Sequence, residues 1–107
     1  MENETALIEV LETGFLSTAE WRRQKAEEFP DDSRNLEAAE DLERLAASIG
    51  GMNTSIFAAY VDLHNDEDTA IEISMLEDEM RKGIGFHSSF ATAEDFIKEV
   101  VAKITGN

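Results

Sequence analysis

Apolar residues recur at the three- and four-residue spacing of an α-helix along most of this chain, and this periodicity limits the fold more than any other feature. An apolar stripe on a helix has to be covered, so short amphipathic helices pack together as a bundle. The two clearest stripes are Leu36, Ala39, Leu42, Leu45, Ala46 and Ile49, and Phe96, Ile97, Val100, Val101 and Ile104. The pattern predicts an all-α fold: a compact bundle of five or six short helices in one domain over residues 1–107.

Two separate helices are predicted before the single proline. The first extends from Asn3 to Thr13, and Gly14 weakens or ends it because glycine is a poor helix former. The second begins at Ser17 or Thr18, since Ser17 and Glu20 have the S-x-x-E spacing of a capping box.

A helical hairpin is predicted around Pro30. The residue before a proline disfavours the α region, so the second helix ends there. The third helix begins after Asp31 and Asp32, whose charges suit the positive end of a helix. Gly50 and Gly51 are expected to end it in the left-handed conformation.

The segment Ser55–His64 is ambiguous. Its apolar stripe fits a helix capped by Asn53 or Thr54, whereas its β-branched and aromatic content also fits a short buried strand. We favour the helix, because the chain offers no second convincing strand to pair with it. Two more helices are predicted, one between Asp66-Glu67-Asp68 and Gly83, the other between Thr92 and Gly106.

Acid–base pairs at i, i+4 with the acid first support the helical prediction, because this orientation stabilises a helix surface by about 0.2–0.5 kcal/mol per pair. They account for five of the nine basic residues and weaken the case for a basic functional site. The pairs are Glu40/Arg44, Glu77/Arg81, Asp78/Lys82, Glu94/Lys98 and Glu99/Lys103.

The formal net charge of −15 constrains the partners. It is divided almost evenly, with −8 on residues 1–50 and −7 on residues 51–107. A negative surface repels phosphates, so we expect no binding of nucleic acid or of a membrane, whereas a basic protein partner is attracted. The acidic N-terminus lacks the basic start and the apolar run of a secretory signal, which predicts a cytoplasmic protein.

No catalytic, cofactor-binding or metal-ligating residue is assigned from the sequence. The chain has no cysteine, and neither His64 nor His87 is preceded by a glutamate at the Glu-x-x-His spacing of helical metal sites. His64 would align with Asp68 and Glu72 only if one helix ran through all three. The acidic stretch Asp62–Asp68 lacks the glycine of a calcium-binding EF-hand loop, and we interpret it as the start of a helix.

Three other features have simple structural interpretations. The glycine-containing segment Gly83–Ser88 lacks the third glycine of a dinucleotide-binding motif and predicts a helix end and a connection. The basic cluster Arg22-Arg23-Gln24-Lys25, with Glu27 four residues after Arg23, predicts a solvated helix face. Trp21 and Phe29 are expected to pack in the core, ahead of the alternative that they anchor an interface.

The sequence therefore favours a non-enzymatic helical domain that acts through protein–protein contact and self-associates as a homodimer. The apolar stripes, together with Trp21, Phe29, Phe86 and Phe90, are more than short helices are expected to cover within one chain. One alternative is a small metal-binding protein or enzyme that uses His64, His87 and nearby carboxylates. Another is an acidic mimic of nucleic acid that inhibits a basic partner.

Overall fold

Five α-helices, joined by short connections, form the structure. The computed structural model describes the backbone of residues 2–52 and 54–106 and the side chains of residues 6–52 and 55–106. The helices are α1 (Glu2–Glu28), α2 (Arg34–Ala47), α3 (Thr54–Asn65), α4 (Glu67–Gly83) and α5 (Ala93–Thr105), with a 3-10 turn at Ile49–Gly51 after α2. The predicted all-α bundle is confirmed.

The two helices predicted before Pro30 are one continuous helix, α1, so the predicted break at Gly14 is wrong. Gly14 lies inside α1, and the Arg81 guanidinium packs on it: a Cβ at this position would lie 2.9 Å from Arg81 Cζ. The Thr18 hydroxyl donates to the Gly14 carbonyl at 2.8 Å. The Ser17/Glu20 capping box is not used, because no helix starts there.

The predicted hairpin around Pro30 is confirmed, and α1 and α2 form the most extensive helix pair. In the turn, the Asp32 amide donates to the Phe29 carbonyl at 3.0 Å. The Asp32 carboxylate accepts hydrogen bonds from the Arg34 amide at 3.1 Å and from the Arg34 guanidinium at 2.7 and 2.9 Å. An aspartate in the turn therefore orders the start of α2, while the helix itself begins at Arg34.

Gly50 and Gly51 do not supply the predicted left-handed helix end. They lie in the 3-10 turn that follows α2, where the Gly51 amide donates to the Ser48 carbonyl at 3.1 Å. Among the described residues, the two with positive φ are Gly85, at 86°, and Gly106, at 80°. Gly106 ends α5 as the sequence predicted.

The ambiguous segment Ser55–His64 is helical and forms most of α3. Phe57, Tyr60 and Val61 are its buried residues, at the spacing of one helix face. The described residues contain no strand, only an isolated bridge between Ile84 and Ser88. Asn53 and the side chain of Thr54, the proposed caps of this helix, lie outside the described residues.

Polar side chains connect the start of α5 to the end of α2. The Ser48 hydroxyl accepts from the Ala93 amide at 2.8 Å, and Arg44 donates to the Ala91 carbonyl at 2.7 Å. Arg44 also pairs with Asp41 at 3.2 Å, and the predicted Glu40/Arg44 pair is not formed. The other four predicted pairs are present: Glu77/Arg81, Asp78/Lys82, Glu94/Lys98 and Glu99/Lys103.

The core consists of the apolar stripes of all five helices. Phe96 lies near its centre and packs edge-to-face against Phe15, with ring centroids 5.0 Å apart, and against Phe90, at 5.5 Å. Most of the α2 and α5 stripes are fully buried within the chain. None of the described helices is both long and apolar enough to cross a membrane.

Burial predicts a difference between two chemically identical substitutions. Ile97→Val should lower the free energy of unfolding by about 0.5–1.5 kcal/mol, because Ile97 is fully buried and a core methylene is lost. Ile71→Val, at a residue that is 73% exposed, should change it by less than about 0.5 kcal/mol. Urea unfolding followed by circular dichroism measures both, and equal effects would contradict the assigned core.

The turn predicts an unusual titration. The hydrogen bonds and charge of Arg34 lower the pKa of Asp32 from its ordinary value of 3.8 to about 2. Because the folded pKa is the lower one, the contribution of Asp32 to stability is complete above about pH 4 and is lost as the pH falls toward 2. NMR titration of the Asp32 carboxyl carbon should show this, and Arg34→Ala should return the pKa toward its ordinary value.

Candidate functional site

A buried polar cluster lies where α1, α3 and α4 meet. His64 Nε2 is 2.8 Å from Glu77 Oε1, and the two side chains are only 12% and 5% exposed. His64 comes from the last turn of α3 and Glu77 from the middle of α4. The cluster therefore joins two helices that are consecutive in sequence, through residues 13 positions apart.

Tyr60 and Arg81 complete the cluster. The Tyr60 ring packs edge-on against the His64 ring, with centroids 4.6 Å apart. Burial and the neighbouring Glu77 carboxylate raise the pKa of Tyr60 far above its ordinary value, so its hydroxyl stays protonated. On the other side, Arg81 lies 3.9 Å from Glu77 Oε2 and packs on Gly14 of α1. The Glu77 carboxylate thus has the imidazole on one oxygen and the guanidinium near the other.

A histidine paired with a carboxylate is also found in catalytic sites, but this pair is buried, as pairs that stabilise a fold are. A general base has to come within hydrogen-bond reach of its substrate. His64 is already hydrogen-bonded to Glu77 and packed against Tyr60, and both partners are buried. The arrangement is best suited to holding α3 and α4 together and pressing Arg81 onto α1.

The two histidines do not share a site. His87, which is exposed, packs its ring on Gly83 at the end of α4, whereas His64 contacts Glu77 in the middle of that helix. The acids that were aligned with His64 in the sequence, Asp68 and Glu72, are exposed. Glu77 was missed because it belongs to the next helix, although its position in the stripe of Ile73 and Met80 was a signal for burial.

The acidic stretch Asp62–Asp68 spans the end of α3, which runs to Asn65, and the start of α4, so only its second half is the predicted helix start. The Asp66 side chain caps α4 by accepting from the Asp68 amide at 2.9 Å, and Glu67 and Asp68 occupy the first turn. Within residues 2–52 and 54–106, no three His, Asp or Glu side chains are grouped so that they could hold a metal ion.

The segment after α4 is a connection held in place by glycine and arginine. Gly85 has a φ of 86°, and a Cβ there would lie 2.6 Å from the Cβ of Ala38 on α2. Arg22 stacks on the Phe86 ring at 4.0 Å and on the Trp21 ring at 4.5 Å. Its guanidinium also donates to the Lys82 carbonyl and, at 3.2 Å, to Asn35 on α2.

The basic cluster on α1 is therefore less solvated than predicted. Arg22 is partly buried, and its desolvation lowers its pKa. Arg23 pairs with Glu43 on α2 at 2.5 Å, not with Glu27, and Lys25 pairs with Glu28 at 3.1 Å.

The predicted core positions of Trp21 and Phe29 are wrong. Trp21 is 38% exposed and Phe29, in the turn after α1, is 57% exposed. The buried face of α1 instead follows Leu11, Phe15 and Ala19, and Trp21 lies off that face. Both aromatic side chains thus remain available at the surface.

Two apolar depressions mark the surface. One, of about 350 Å³, lies between α3 and α5. The other, of about 520 Å³, lies between α1, the end of α2, the 3-10 turn and α3. A third, also about 520 Å³, contains His87 but is rich in charged side chains: Glu79, Glu99 and Lys103 line it. The first two have the apolar lining expected of contact surfaces.

Removing the buried carboxylate tests the structural role of the cluster. Glu77→Ala leaves His64 without its hydrogen-bond partner and Arg81 with the more exposed Asp78, at 3.8 Å, as its remaining carboxylate, and should lower the free energy of unfolding by about 3–5 kcal/mol. Glu79→Ala, at an exposed position two residues along the same helix, should have an effect below about 0.5 kcal/mol. Chemical denaturation measures both, and similar small effects would show that the cluster does not hold the helices.

No family model matches this sequence, and no match is found among curated proteins or solved structures.

Proposed function

We propose that this protein is an interaction domain that acts through protein–protein contact and self-associates as a homodimer. The observation that carries the proposal is an apolar face without acids on a chain of net charge −15. This face is the depression between α3 and α5, which we call the α3/α5 face.

The α3/α5 face has the composition of a helix–helix contact. Along α5 its residues are spaced at i, i+3, i+4 and i+7, so they form one stripe beside the buried stripe of that helix. Small residues at its centre allow another helix to approach closely. The face includes Ile56 and Ala59 of α3 and Lys98, Val101, Ala102 and Thr105 of α5.

Charge favours this face over the rest of the surface. Two chains of −15 repel each other, so a stable contact has to exclude carboxylates from its centre. Lys98 is the charged residue among the described residues that line the α3/α5 face; its partner Glu94, at 3.7 Å, is not among them. A contact here keeps the acids of both chains at the rim.

The apolar surface left for association is smaller than the sequence predicted. Phe96, Ile97 and Val100 are fully buried, whereas Val101 and Ile104 of the same helix are only partly covered. Phe90 packs on Phe96, and Phe86 lies beneath Arg22. The proposal therefore depends on the edge of the α5 stripe and not on its centre.

The partner other than a second copy is proposed to be a basic protein. Residues 45–80, which include α3 and most of α4, contain seven acids besides the buried Glu77, and no Lys or Arg. Such a surface attracts a basic partner and repels phosphate groups, which argues against nucleic acid and anionic membranes as ligands. The same acidity supports, less directly, a nucleic-acid mimic. The separation of His64 from His87 does not favour the metal or enzyme alternative.

Self-association can be tested by placing an acid at the centre of the face. Ala59→Glu puts a carboxylate of each chain into the contact and should convert the dimer to a monomer with a mass near 11.9 kDa. Ala58→Glu is the matched control, because this exposed residue is on the same helix but does not line the face. Multi-angle light scattering should give a dimer for the wild type and the control. A monomeric wild type at high concentration would refute self-association.

A further inference from the structure

The larger apolar depression has a different character from the α3/α5 face, because a carboxylate lines it. This depression, which we call the α1/α2 groove, is open and has a volume of about 520 Å³, within the roughly 300–1,000 Å³ of typical binding sites. Its lining includes Ile8 and Glu12 of α1, Ala47 of α2, Met52, and Phe57 of α3. Glu12 is the charged residue of this lining.

The Glu12 carboxylate is available to a ligand. It is exposed, and among the described residues it takes part in no ion pair. The first 21 residues contain five acids and no Lys or Arg, so α1 itself offers no cation on this half. A ligand that placed an apolar group in the groove and a cation beside Glu12 would satisfy both features.

Beyond the groove, the same side of α1 continues to Leu16, which does not line the groove but completes an apolar–acidic–apolar series. Ile8, Glu12 and Leu16 are spaced by four residues, and they follow one another along one side of the helix. Ile8 is 36% exposed and Leu16 is 44% exposed. The series is about 12 Å long, which corresponds to about two turns of a partner helix. This length fits a peptide helix better than a small molecule.

We propose that the α1/α2 groove binds a basic amphipathic helix of a partner protein, whose apolar, basic and apolar side chains at successive turns meet Ile8, Glu12 and Leu16. The inference rests on the proposed function, because it specifies the partner of an interaction domain. A second copy of this chain does not fit: its basic helical stretch is occupied, with Arg23 on Glu43, Lys25 on Glu28 and Arg22 against Phe86.

Two synthetic helical peptides with the same charge test the inference. One carries Leu, Lys and Leu at i, i+4 and i+8, and the other has Ser in place of each Leu. In fluorescence anisotropy the Leu-containing peptide should bind about tenfold more tightly, because only it fills the groove. Equal affinities would mean that the negative surface attracts any cation and would overturn the proposal.

Charge-matched variants locate the binding site. Ala47→Gln fills the groove without changing the charge, and Glu12→Gln removes the carboxylate of the groove. Each substitution should lower the affinity for the Leu-containing peptide about fivefold. The controls are Ala6→Gln, on the opposite side of α1 from Ile8, and Glu27→Gln, at an exposed position about four turns beyond Glu12 on the same helix. They should leave the affinity unchanged, with all folds checked by circular dichroism. Equal losses in variants and controls would refute the assigned groove.

Light scattering on the same variants separates this inference from self-association. Ala47→Gln and Glu12→Gln should bind the peptide more weakly but remain dimeric, because neither residue lines the α3/α5 face. A monomeric wild type that still binds the peptide in the groove would refute the dimer and leave the groove standing. A dimeric protein that shows no preference for the Leu-containing peptide would refute the groove and leave self-association standing.

Discussion

The buried carboxylate of Glu77 is the interaction on which the arrangement of three helices depends. Of the 24 acids in the chain, it is the buried one among the described side chains. A carboxylate removed from water is costly unless it is hydrogen-bonded and paired. His64 and Arg81 supply those partners, and the Arg81 guanidinium also packs on Gly14 of α1. One acid thereby fixes how α3 packs on α4 and how α4 packs on α1.

Arginine side chains hold the irregular segments in place. Arg22 donates to the carbonyl of Lys82 at the end of α4 and covers the Phe86 ring, while Arg44 donates to the carbonyl of Ala91 just before α5. Backbone carbonyls near helix ends and in connections lack intrahelical partners, and guanidinium groups can satisfy them. The scarce cations of this acidic chain are therefore used within the fold. Most basic side chains are thus engaged by carboxylates or carbonyls of the same chain, which supports the proposal of a cationic partner.

The two apolar depressions on the surface differ in the charged residue that lines them. The α3/α5 face is lined by small and aliphatic residues with a lysine, whereas the α1/α2 groove is lined by apolar residues with an exposed glutamate. Repulsion between carboxylates disfavours contact between two copies at acidic regions and is weakest where acids are absent. Attraction between opposite charges favours a cationic helix at the groove. Both proposals thus follow from where the carboxylates lie relative to the apolar surface.

The sequence by itself determined the helical class, the hairpin at Pro30, the caps at Thr92 and Gly106, and four of the five predicted i, i+4 ion pairs, because these depend on residues within one or two turns. It did not determine what happens at Gly14, where contact with Arg81 outweighs a local preference for a break. The contact between Glu77 and His64 and the exposure of Trp21 and Phe29 could not be predicted from the sequence either. Both depend on how separate helices pack. Tertiary packing alone decided the buried cluster, the α3/α5 face and the α1/α2 groove, because each is built from side chains that only the folded chain brings together.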